Sequence, residues 1–204
     1  VLIFICVAIA WAVLGTSIFA RTESEDLNAA LDRRVKELWG TEHMQKAPVV
    51  VLATDDAESA VQLDSNQIDV QIWIDHRRRG LKWFATYEVD FDGNYTFHNP
   101  FDEPVTATVT YEFPTTKTSY DGFQFQVQDV STTPDGTTAQ FLQTVVQLAP
   151  GQEGHIRVAH KSRGLNTWRY SFADSLTTVK DFSLTMETDF TGYDRITDTV
   201  AFYH

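Results

Sequence analysis

The chain of 204 residues carries 16 Lys+Arg against 28 Asp+Glu, a formal charge of −12, and is rich in Phe, Tyr and Trp. Such an acidic balance excludes a nucleic-acid binder, which must set clustered Lys and Arg against phosphates. The one cysteine, Cys6, lies in the apolar start, so the remainder offers no disulfide, thiolate nucleophile or Cys-based metal site.

Val1 to Ala20 run for twenty positions without a charge. At about 1.5 Å per residue a helix of that length crosses a hydrocarbon core of roughly 30 Å. A cleaved signal peptide has an apolar region of only about 7 to 15 residues and small residues before the cut. Ile18 stands where one of those small residues is needed for a cut after Ala20. The expectation is a transmembrane anchor over residues 1–20, held in the bilayer.

Thr22-Glu23-Ser24-Glu25 has the spacing of a capping box. Leu27, Leu31, Val35 and Leu38 then recur at steps of four and three, and Gly40 ends the stripe. This predicts a short amphipathic helix over about 22–39, within a helical stalk and linker at 21–47. Residues 41–66 are less regular, with one apolar burst at Val49-Val50-Val51-Leu52.

From Gln67 the period changes to two. Ile68, Val70, Ile72 and Ile74 alternate with polar partners, and Trp83, Ala85, Tyr87, Val89 and Phe91 follow the same pattern. Asn99 to Pro104 reads as a turn. Val105, Ala107, Val109, Tyr111 and Phe113 form the next strand. Later strands are expected at 123–127, 139–148, 155–160, 168–172 and 179–189. Short strands separated by turn residues, with no long helix between them, predict an antiparallel β-sandwich over residues 48–204.

One pattern occurs twice: His76-Arg77-Arg78-Arg79-Gly80-Leu81 and His160-Lys161-Ser162-Arg163-Gly164-Leu165 share H-[RK]-x-R-G-L. One reading is two similar strand-to-strand turns in which Gly supplies a positive φ. The other is a pair of basic loops at one end of the sandwich, where Arg77, Arg78, Arg79, Lys161 and Arg163 meet anionic lipid or an acidic partner.

The chemistry of catalysis finds little support in the pattern. No two of the six histidines have the helical spacing of a zinc-protease motif, and His155 and His160, five apart on a strand, face opposite sides. Asp90-Phe91-Asp92-Gly93-Asn94 resembles the start of a calcium loop. The twelfth loop position is Phe101 rather than Glu, however, which favours a β-bulge or tight turn at Asp-Gly. No nucleophile elbow and no phosphate-binding glycine loop is present. Neither a cofactor nor a metal is expected, and the protein reads as a non-enzyme.

Several stretches, taken in order, resemble the extracytoplasmic part of the CreD-like inner-membrane proteins. They are Ile68-Asp69-Val70, Arg79-Gly80-Leu81-Lys82-Trp83, Phe97-His98-Asn99-Pro100, Phe113-Pro114 and Tyr120-Asp121. Further on come Arg163-Gly164-Leu165-Asn166, Trp168 to Phe172 and Asp181-Phe182. With the anchor, the resemblance runs from about residue 1 to 190. It implies a bacterial inner-membrane protein with one anchor helix, a periplasmic β domain and further membrane helices beyond it, so that the domain at 48–204 is cut short at its C-terminus. It also implies a link to envelope stress and supplies no catalytic residues. The functional expectation is a non-enzymatic membrane-anchored envelope protein whose β domain contacts a membrane or periplasmic protein. The alternative is a glycan-binding or glycan-processing periplasmic module, based on aromatic-rich strands and abundant carboxylates.

Overall fold

The structure, a computed structural model, describes residues 30, 33–36, 40–54, 57–79, 82–134, 140–172 and 180–189, with positions 79 and 82 described by backbone alone. The chain divides into two compact units, Val1–Leu38 and Trp39–His204. In the first, the described residues 30 and 33–36 are helical, as the stripe of leucines predicts, and Val35 is buried. The expected anchor over 1–20 lies outside the described residues. Among those described, no helix is long and apolar enough to cross a membrane.

The second unit is mainly β. Its strands are β1 (His43–Lys46), β2 (Val49–Ala53), β3 (Glu58–Val61), β4 (Ser65–Arg79), β5 (Lys82–His98) and β6 (Val105–Glu112). They continue as β7 (Tyr120–Val127), β8 (Val130–Thr132), β9 (Phe141–Leu148), β10 (Glu153–Leu165), β11 (Trp168–Ser171) and β12 (Phe182–Thr188). A six-stranded sheet in the order β12-β4-β5-β10-β7-β8 and a four-stranded sheet in the order β3-β2-β6-β9 contribute alternate residues to one core. The inward positions are the even ones of β4 up to Ile74 and of β10, the odd ones of β5 from Tyr87 onward and of β6, and Phe123, Phe125 and Val127 of β7. Trp83 and Ala85, expected on the same face as Tyr87, are exposed where β5 begins. Because side chains alternate across a strand, the period-two pattern selects one apolar face per strand, and burying it fixes the register. Phe91, Phe97, Tyr95, Tyr111 and Phe125 are almost fully buried at the centre.

Four expectations are corrected. The two large sheets are antiparallel except at one edge, where β12 pairs with β4 in parallel, and β1 and β11 form a separate two-stranded parallel sheet. Residues 41–66 are not irregular, since β1, β2 and β3 all fall there, with β1 inside the stretch expected as linker. Asp92-Gly93 makes neither a bulge nor a turn: β5 runs through it with unbroken register to β4 and β10. Gly93 is required because a Cβ there would meet the Tyr95 hydroxyl at 2.6 Å and its ring at 2.9 Å. Finally, Gly164 has no positive φ. It lies directly opposite Tyr87 across β10 and β5, and the Tyr87 ring covers it.

The two copies of the repeated pattern do reach the same end of the six-stranded sheet. β4 and β10 flank β5 on its two sides, and both run toward its beginning. The first copy closes the β4–β5 hairpin, with Arg79 opposite Lys82. The second is strand throughout, from His160 opposite Phe91 to Leu165 opposite Thr86.

Candidate functional site

Of the five residues picked from the sequence, Arg77, Lys161 and Arg163 fall on the outer face of the six-stranded sheet, while Arg78 alternates to the other face of β4, opposite Trp83. Lys161 stands directly opposite Asp90 across β10 and β5, with Nζ to Oδ2 at 2.9 Å. Arg163 stands opposite Glu88, with Nε to Oε2 at 3.1 Å. One step further, Arg157 reaches diagonally to both oxygens of Asp92, at 2.7 and 3.3 Å. This fork offsets a like-charge pair, because Asp92 also lies opposite Asp69 of β4. The partner carboxylates hold Lys161 and Arg157 more firmly protonated than usual. Arg77 is bound to Asp75 at 2.7 Å, and the Arg78 guanidinium lies 5.8 Å from the centre of the Trp83 ring. Lys161 and Arg163 are therefore rungs of a charge ladder rather than loop cations. The Arg79 side chain lies outside the described residues.

Beside this ladder, Gln67, Asn94 and Arg157 line up across β4, β5 and β10, as do Ser65, Thr96 and His155 one step further along. They line a depression of about 270 Å³, which Gln126 and Gln128 complete. Amide, hydroxyl, imidazole and one guanidinium group border it, together with Tyr95 and Ile156, and much of its surface is apolar.

The outer face of the four-stranded sheet differs in kind. Gln143 of β9 donates to Thr110 Oγ1 of β6 at 3.1 Å, and Gln147 donates to Thr106 Oγ1 at 2.9 Å. Val145 and Thr108 pair between them, and Val51 of β2 lies on the far side of Thr108. Phe141 and Val145 are 54 % and 56 % exposed. Charges on this face stand at its corners, on Glu58 and on Glu112, which pairs with Lys46.

A third constellation, which the sequence did not single out, is buried. The parallel pair β1/β11 brings His43 and Gln45 to the interior. Gln45 donates through Nε2 to the Lys46 carbonyl at 3.0 Å and to Tyr111 Oη at 3.3 Å. That orientation turns Oε1 toward His160 Nε2, 3.2 Å away. The His160 ring stacks on Phe91 and on Phe123 and takes the edge of Tyr120. It sits where β7 shifts register against β10, near Gly122 with its positive φ. Burial, with the neighbouring His43 as a smaller cause, pushes its pKa down to about 3. His43, edge-on to Tyr87, is pushed down to about 4 by burial, with the Arg163 carbonyl acting in the opposite direction. Both rings are neutral at pH 7. Among the described residues no group of three or more His, Cys, Asp or Glu converges as a metal site. The sequence signal for this cluster was weak: two histidines and a glutamine far apart in the chain, brought together by tertiary pairing alone.

No family model matches the chain, and no curated protein matches it. Among solved structures it is similar to a candidate nutrient binding protein from Legionella pneumophila subsp. pneumophila strain Philadelphia 1. The two are 15 % identical, with a TM-score of 0.38, over 60 % of this chain and 44 % of that one. The match thus spans less than half of the other protein, and the description of the fold rests on the strand registers.

Proposed function

We propose that the chain is a non-catalytic envelope component that works by protein contact, through the outer face of its four-stranded sheet. The observation that carries this reading is the uncharged centre of that face on a chain of net charge −12. Phe141 and Val145 stand proud of a bed of Thr and Gln that hydrogen-bond among themselves. Interface centres are depleted of charge and enriched in aromatic side chains, and the carboxylate beside Phe141, Glu112, is already paired with Lys46. The resemblance of the sequence to CreD-like proteins supports an inner-membrane setting with the β domain on the periplasmic side, and residues 1–20 as the tether to the bilayer. A photocrosslinker at position 145, in the full chain in its native membrane, tests the reading. A discrete adduct that Phe141→Lys abolishes supports it. A strictly monomeric protein with no adduct overturns it.

A second reading is favoured by the depression around Asn94, His155 and Arg157, whose amides and hydroxyls suit a sugar's hydroxyl groups. It makes the domain a glycan-binding module of the periplasm. Titration with soluble cell-wall glycan fragments, followed at the Asn94 and Gln126 side-chain amides, discriminates the two. Shifts confined to this depression support glycan binding, and an unchanged spectrum removes it.

A further inference from the structure

The interior between β1/β11 and β5/β10 holds more hydrogen-bonding capacity than the protein uses. Among the described residues His160 Nδ1, Ser162 Oγ and Trp168 Nε1 have no hydrogen-bond partner, and His43 faces only the Arg163 carbonyl, which leaves at least one of its ring nitrogens unmet. His43, His160 and Ser162 are each no more than 3 % exposed. They also converge. His160 and Ser162 are neighbours on the inward face of β10, and Gln45, which holds His160, is the neighbour of His43 on β1. Trp168 stands directly opposite His43 across β1/β11.

An unpaired buried polar atom is strongly destabilising, and several in one place weigh heavily against the small net stability of a domain. A native fold resolves such a debt with ordered water or a ligand. The donor inventory narrows the choice. Because Gln45 Oε1 accepts from His160 Nε2, the Nδ1 atom is a bare acceptor and needs a donor. Trp168 Nε1 only donates, neutral His43 offers one donor and one acceptor, and Ser162 offers both. An anion would leave Nδ1 facing negative charge. A metal ion would engage the two imidazole lone pairs and leave the indole and hydroxyl protons unmet.

We infer that this interior is a binding site for ordered water, bridging His160 Nδ1 and Ser162 Oγ to His43. The guest is small and neutral, and it both donates and accepts. The site lies beneath the β1/β11 flap, distinct from the outer faces, and does not depend on the proposed partner contact.

Crystallography of the full chain at a resolution that orders solvent tests this, with data collected also for anomalous signal. Density without anomalous signal within hydrogen-bonding distance of His160 Nδ1 and Ser162 Oγ supports the inference. In Ser162→Ala, which removes one anchor and little volume, that density weakens or shifts while the fold is retained. In solution, a long-lived water cross-relaxing with the His160 ring protons is expected, and its signal is reduced in the same variant. A dry site, an anomalous peak between the rings, or Nδ1 paired to a protein group overturns it.

Discussion

His160 and Gln45 lie 115 residues apart in the chain, and their side chains meet at 3.2 Å in the core, His160 Nε2 to Gln45 Oε1. Through this contact the short strand β1, only four residues long, is fastened to the centre of the larger sheet. Gln45 also holds Tyr111 of β6 at 3.3 Å, so one amide joins three strands from different parts of the fold. Gln45→Leu is expected to lower stability by about 2–4 kcal/mol, because it strands His160 Nε2 and the Tyr111 hydroxyl in the interior. Urea denaturation measures this. The double variant with His160→Phe is expected to cost less than the sum of the single changes, since the second substitution removes one of the stranded groups.

Acid should loosen the same region. In the unfolded chain a histidine titrates near 6.5, whereas in the fold His43 and His160 stay neutral down to about 4 and about 3. A folded pKa below the unfolded value means the unfolded state binds more protons. Stability is then full above pH 6.5 and falls as pH drops below it. With both rings contributing, the slope approaches about 2.7 kcal/mol per pH unit between roughly pH 6 and 4. The titratable groups packed against the rings are Tyr87, Tyr120 and Tyr111, which burial pushes well above the ordinary phenol range, so they add nothing in this window. Denaturant midpoints measured across pH 7 to 4 should fall steeply. In His160→Phe the slope should be about half as large, and an unchanged slope contradicts burial of a neutral ring.

Glycine and aromatic residues are matched across β5 and β10. Gly164 lies opposite Tyr87 and Gly154 opposite Phe97, and a Cβ at either position would meet the facing ring at 2.2 or 2.4 Å. The Tyr87 ring, laid over Gly164, delivers its hydroxyl to the Thr167 carbonyl at 2.6 Å and its face to the edge of His43. Gly164→Ala is therefore expected to cost about 1–3 kcal/mol by overpacking. It should also move the His43 ring resonances, which a purely local strain would leave in place. Thermal melts and imidazole chemical shifts read the two effects separately.

How far the sequence revealed this follows from where each signal resides. Alternation in β4, β5 and β6 is local, so Ile68, Val70, Val89, Phe91, Val105 and Val109 were legible as one core face, and their burial agrees. The Asp92-Gly93 pair misled because its turn chemistry is also local, while its reason for being glycine is the Tyr95 ring two residues on. The repeated basic pattern led to the right end of the sheet and, for its second copy, to the wrong local form. Carboxylates at Glu88 and Asp90 turn Lys161 and Arg163 into strand pairs, a relation that only the β5/β10 register creates. His43 left no trace in periodicity, since β1 and β11 are too short to show one and pair in parallel across distant parts of the chain, while His160 falls on the inward face of β10 but nothing local to that strand names its partner Gln45.

The ladder gives the basic residues a definite test. Each rung is largely exposed, where solvent leaves an ion pair little net worth, and Lys161→Ala should barely shift the melting midpoint. An anionic lipid headgroup, however, has to displace Asp90 and Glu88 before it can engage Lys161 and Arg163. The doubly neutralised variant Glu88→Gln/Asp90→Asn frees both cations and removes two repulsive charges. If these residues serve a membrane surface, this variant sediments with anionic vesicles more strongly than the unmodified chain, and the gain disappears at high salt, where screening shortens the reach of each charge. Reversal of Arg77 and Arg78 to Glu should then reduce the binding that remains. Equal sedimentation of all three proteins at low salt would assign the ladder to pairing β5 with β10 and leave the membrane surface no role in it.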